Sequence, residues 1–169
     1  MAATIQIAGP TVIKVTIGES ESTLGYSDND TLPAVNFTEH QHDVRTVLSG
    51  AVPEEIVLQG TSARISLALV KWDEAVLSAI LTKQRGGDGT TSPVGARIVA
   101  DLRYFSLAIE ALGSGATYTF PCCYLQQDGV GDSQWGNRER VLTLNLMAIP
   151  NPVQPAEIYV YTDGTVAPT

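Results

Sequence analysis

The chain has 169 residues, 44% hydrophobic and 17% charged, an ordinary globular composition that supports one domain with its own core and suggests disorder nowhere but at the ends. Its formal net charge of -8 is concentrated in residues 1–60, where Glu19, Glu21, Asp28, Asp30, Glu39, Asp43, Glu54 and Glu55 are offset only by Lys14 and Arg45. An acidic surface of this kind repels phosphates, which excludes gripping nucleic acid but not lining a passage through which DNA slides. Residues 1–10 lack both a basic region and a long apolar run, so they read as neither signal peptide nor anchor. No stretch approaches the length of a membrane span, and folding in a cytoplasm is the expectation.

In chain order, residues 11–17 alternate Val12 and Lys14 with Ile13, Val15 and Ile17, a first strand that closes at Gly18. Residues 19–33 are acidic and rich in small residues, and as a connection they are long. They read as a loop that serves as a contact arm. Residues 35–48 read as a strand with unusual polarity: Glu39, His40, Gln41, His42, Asp43 and Arg45 occupy both faces of its middle. A core cannot seal such a strand, whereas a sheet edge, a channel lining or a subunit interface tolerates it.

Residues 56–84 form the clearest block. Val57-Leu58-Gln59-Gly60 reads as a strand ending in a turn, and Ile65, Leu67 and Leu69 alternate with smaller or polar neighbours in a second, half-buried strand. A helix over 72–84 follows. Asp73 and Glu74 in its first turn and Lys83 in its last oppose the helix dipole, and Gly86-Gly87 stops it. Trp72, Val76, Ala79, Ile80 and Lys83 share one face with Leu77 and Leu81 alongside, so the helix needs an apolar surface, which the strands supply.

Residues 85–95 are a Gly-rich loop, and strand-like segments follow at 97–112, 116–125 and 138–149, the last with Leu142, Leu144 and Leu146 turned to the core. Residues 126–137 read as a long loop carrying Trp135, a large aromatic in polar surroundings and so a candidate partner anchor. Pro150, Pro152 and Pro155 break the sheet, and a short strand over 157–161 ends the pattern. The expected fold is mainly β: a two-sheet β-sandwich or partly closed barrel with one flanking α-helix, formed by residues 1–150 and followed by a C-terminal arm over 151–169.

The residues offer little chemistry. His40 and His42, two apart in a strand, share a face as in metal-binding β-barrels, but no Glu follows at the customary spacing. Ser114 lacks a Gly-x-Ser-x-Gly turn, Gly86-Gly87-Asp88-Gly89 lacks the Lys and helix of a phosphate loop, and Asp128-Gly129-Val130-Gly131-Asp132 misses the calcium-loop spacing. Cys122 and Cys123 are adjacent in a strand, so they point to opposite faces and read as buried, reduced thiols. The expectation is no catalysis, no cofactor and no metal.

A strand ending in Val57-Leu58-Gln59-Gly60, a strand running into a helix through Leu69-Val70-Lys71-Trp72-Asp73, and a late strand that stops at Ala148-Ile149-Pro150 together resemble the major tail tube protein of a long-tailed bacteriophage. The likeness is one of element order over roughly residues 8–150. It implies a virion structural protein, assembled in the host cytoplasm, whose copies pair sheet edges into hexameric rings that stack into a tube with other tail proteins. It also implies that residues 19–33, with Glu19, Glu21, Tyr26, Asp28 and Asp30, take the place of the ring-stacking arm. The strand carrying Glu39, His40, His42, Asp43 and Arg45 then lies near the lumen or the ring seam, and DNA passes the acidic bore without specific binding. The alternatives are another virion component, such as a neck, terminator or head decoration protein, and a small metal-binding β-barrel enzyme.

Overall fold

A computed structural model describes residues 3–7, 9–27, 30–44, 55–85, 104–130, 141–151, 154 and 157–163. Among these residues nine strands and one helix follow one another: β1 (Ala3–Gln6), β2 (Thr11–Ile17), β3 (Ser20–Ser27), β4 (Ala34–Val44), β5 (Glu55–Trp72), α1 (Glu74–Arg85), β6 (Phe105–Ala111), β7 (Thr117–Val130), β8 (Leu142–Ala148) and β9 (Val160–Thr162). The strands pair antiparallel in the order β1-β4-β5-β3-β2-β6-β7-β8, and β8 returns to pair with β5 from Ala63↔Ala148 to Leu69↔Leu142. That last pairing closes β5, β3, β2, β6, β7 and β8 into a six-stranded barrel. Closure removes most of the sheet's edges. The expected mainly β fold with a flanking helix is what forms, as a barrel and not as an open sandwich.

The core follows from period-two alternation. Ile13 and Val15, Ile65, Leu67 and Leu69, Phe105, Leu107 and Ile109, and Leu142, Leu144 and Leu146 all point inward and are buried. β6 and β8 alternate buried and half-buried residues without a break. β7 breaks the rhythm at a bulge, where Phe105↔Cys123 is followed by Leu107↔Phe120, so three steps on β7 face two on β6. Pro121, which has no N–H to offer a ladder, sits in that bulge. The bulge lets both Phe120 and Cys123 face the core, while Cys122 is buried outside it; neither forms a disulfide.

Asp73 caps α1, its Oδ1 accepting from the amides of Ala75 at 2.8 Å and Val76 at 3.3 Å. The helix starts two residues later than the sequence suggests because Trp72 is still paired, opposite Gly25. Ile80 is buried and Trp72, Val76, Leu77 and Leu81 pack on the core, whereas Ala79 is exposed. The helix packs against β3 and β7, which are not neighbours round the barrel.

Several expectations are corrected. Gly60 is not a turn: β5 runs unbroken through it, and the register shift between His40 and Gln41 marks a bulge with Gly60 at φ 134°. A glycine inside a strand pattern marks a bulge as readily as a turn, and the eleven paired residues of β4 leave β5 no room to fold back. Residues 19–33 are not a free loop either. Gly18, at φ 68°, and Glu19 form a two-residue hairpin turn, and Ser20–Ser27 is the strand β3. Its first four residues are exposed, so its polar composition hid it, and only Leu24, Gly25 and Ser27 are buried. β7 continues through Val130, where a loop from 126 was expected, and β1 was not anticipated.

Candidate functional site

Beyond the barrel, β4 and β5 continue as a two-stranded ribbon. β1 pairs β4 only at residues 34–37, and β8 pairs β5 only from Ala63 onward. Among the described residues, no third strand joins the part in which residues 40–44 face 55–60. Thr38, Glu39 and His40 are exposed one after another, so both faces of β4 meet solvent at these three residues. His40 Nε2 lies 2.9 Å from Ser62 Oγ across the ribbon. A two-stranded ribbon outside a core is marginal by itself, and among the described residues neither of its edges is paired along 40–44 or 55–60.

A second projection is the β2–β3 hairpin. Among the described residues Ser20 to Thr23 are paired to β2 alone, because β5 leaves β3 beyond Gly25↔Trp72 to enter α1. On its flank Lys14 holds Glu110 at 2.7 Å and Glu21 at 3.9 Å, a cross-strand cluster over β3, β2 and β6. The hydrogen bond to Glu110 is the main reason that the Lys14 ammonium is held above the usual lysine range.

The residues assigned to one arm do not come together as an arm. Glu19 and Glu21 lie at the hairpin tip, Tyr26 is exposed on β3 opposite Lys71 in register, and Asp30 lies between β3 and β4. Asp28, Arg45 and Trp135 lie outside the described residues, as do the side chains of His42 and Asp43, whose backbones are in β4. Among the described residues no three His, Cys, Asp or Glu side chains gather in a way that could hold a metal ion. No described helix is long and apolar enough to cross a membrane.

An aromatic cluster escaped the sequence reading. Tyr159 packs at a tilt against Phe37 and Phe120, at 5.4 and 5.9 Å between ring centroids, and Tyr161 against Tyr118 at 4.9 Å. The available signal was the spacing: Tyr118 and Phe120 are two apart in β7 and so share a face, and Tyr159 and Tyr161 have the same spacing at the start of β9.

No family model and no curated protein matches the chain. Among solved structures, the chain is similar over 89% of its length to 95% of a chain in the virion of a native gene transfer agent particle, at 16% identity and a TM-score of 0.45. It is similar over 92% of its length to 99% of a chain described as Hcp protein, at 9% identity and a TM-score of 0.37. A type six secretion system protein is matched at 15% identity and a TM-score of 0.31, over 90% of this chain and 92% of that one.

Proposed function

We propose that the chain is a structural subunit of a virion tail tube, without catalysis or cofactor, whose copies close into hexameric rings and stack. The observation that carries this reading is the β4–β5 ribbon, which projects past the barrel with no third strand along residues 40–44 or 55–60 among the described residues. Open edges are a hazard in a lone chain and a joint in an assembly, where main-chain hydrogen bonds to an identical neighbour satisfy them. Stacking contacts fall to this ribbon, with Glu39, His40, His42, Asp43 and Arg45 near the lumen or the ring seam. The hairpin tip, with Glu19 and Glu21, is a second contact, and Trp135 anchors a partner. An acidic bore then offers DNA no site to bind, and transit stays fast. The subunit is made in the host cytoplasm and resides in the virion tail.

The test is negative-stain imaging with sedimentation of the purified chain over a range of concentrations. Rings and tubes are expected. Rings that never stack would move the chain to a terminator or neck role. Single copies at high concentration, with the amides of residues 40–44 and 55–60 protected from exchange, would overturn the reading altogether.

A further inference from the structure

The last described strand occupies a place that the barrel leaves empty. β8 pairs β7 from Cys123↔Ala148 onward, and the ladder reaches one step further, where the amide of Ile149 donates to the carbonyl of Cys122 at 3.0 Å. The same edge of β7 then stands open at Thr117 to Thr119, since β6 takes the opposite edge there. β9 fills the opening with the pairs Thr117↔Thr162, Tyr118↔Tyr161 and Thr119↔Val160. Beneath it, Phe37 from β4 and Tyr118 and Phe120 from β7 form an aromatic floor on which Tyr159 and Tyr161 lie. Ile158 packs on the core beside them.

The segment is complementary to this groove yet only half held by it. Tyr159, Val160 and Tyr161 remain 36%, 42% and 49% exposed. The turn that delivers it closes on itself: Asn151 N donates to Glu157 O, Gln154 N to Asn151 O and Glu157 N to Gln154 O. The chain therefore re-enters the barrel through its own small loop, in a stretch that holds Pro150, Pro152 and Pro155. Prolines favour an extended backbone, and about ten residues from Ile149 to Tyr159 span roughly 33 Å when straightened, the width of a neighbouring domain.

We propose that this groove accepts the C-terminal strand of a second copy, so that neighbouring chains exchange β9. The fit of the chain's own segment is the argument for the occupant: an identical segment from a neighbour makes the same three pairs and the same ring contacts. Exchange between identical chains needs only that the connection open. Packing the copies side by side raises the neighbour's effective concentration toward that of the chain's own end. The inference rests on the reading that the chain associates with itself.

The test is cross-linking between copies. Chains carrying Thr117→Cys are mixed with chains carrying Thr162→Cys under mild oxidation, since directly opposed residues of an antiparallel pair lie within disulfide reach. Cys122 and Cys123 are buried, and burial raises the Cys123 thiol pKa, so the native thiols stay out of the reaction. The expected result is a two-chain product that grows with concentration. Its yield should exceed by roughly tenfold the yield when Thr162→Cys is mixed with Leu112→Cys, an exposed control site. Chains that sediment as assemblies yet cross-link no better than the control would overturn the exchange and leave the subunit reading standing. Chains that sediment as single copies at every concentration and form no such product would overturn both.

Discussion

Gly25 sits where the backbone of β5 passes close to β3. A Cβ there would overlap the carbonyl oxygen of Lys71 and press on the Cα of Trp72, both backbone atoms that cannot swing aside. Gly25→Ala is therefore expected to cost about 1–3 kcal/mol and lower the thermal midpoint by several degrees, read by calorimetry. A midpoint equal to the parent's would show that the two strands can part without loss. Lys14 supplies a pH dependence. Its pKa is raised above 10.5, chiefly by the hydrogen bond to Glu110, with burial opposing and the charges of Glu110 and Glu21 adding. A raised folded pKa means that the stabilisation is complete below the unfolded value and disappears as pH climbs through the higher folded one. Glu110→Gln should thus lose roughly 0.2–1 kcal/mol near neutral pH, as partly exposed pairs do, and the gap should close in denaturant titrations as pH climbs past the raised lysine pKa. A gap that persists there would assign the loss to packing.

At the scale of the element, the ribbon and its bulge are the features to perturb. Gly60 holds φ 134° with nothing within 4 Å of a built Cβ, so Gly60→Ala meets backbone strain and no collision. The strain is worth about 1–3 kcal/mol and should fall on the ribbon, speeding amide exchange in residues 55–60 while the barrel amides hold. Exchange rising evenly over the barrel would show that ribbon and barrel unfold as one. β3 teaches a related lesson. Deleting residues 21–31 as though they were a loop would remove a barrel strand and Leu24 from the core, so the product should fail to fold. Replacing residues 41–59 by a tight turn is the deletion that should spare the barrel and abolish assembly. Periodicity could not find β3, because its first four residues all meet solvent and carry no apolar alternation. By contrast α1, β6 and β8 were legible, since each buries one face and its residues say so.

At the scale of the whole molecule, charge sets how easily copies meet. With a net charge of -8 and a pI near 4.6, identical chains repel at neutral pH. Salt screens that repulsion over a Debye length of about 8 Å at physiological strength, so the concentration needed for association should fall several-fold from about 20 mM to about 300 mM salt, followed by light scattering. An unchanged threshold would mean that the joining surfaces carry little of the charge. The uneven placement of the acids was visible in the sequence, as was the helix, the inward face of the later strands and the polarity of residues 39–43. Those are properties of neighbours along the chain, and spacing reports them directly. Closure of the barrel by β5 and β8, the conversion of Gly60 from turn to bulge, the close approach at Gly25 and the seat of Tyr159 and Tyr161 on Phe37, Tyr118 and Phe120 all join residues far apart in the chain. Local spacing does not encode which strand edge finds which, because any open edge can in principle accept any other. Only the packed core, by fixing register across the barrel, made that choice.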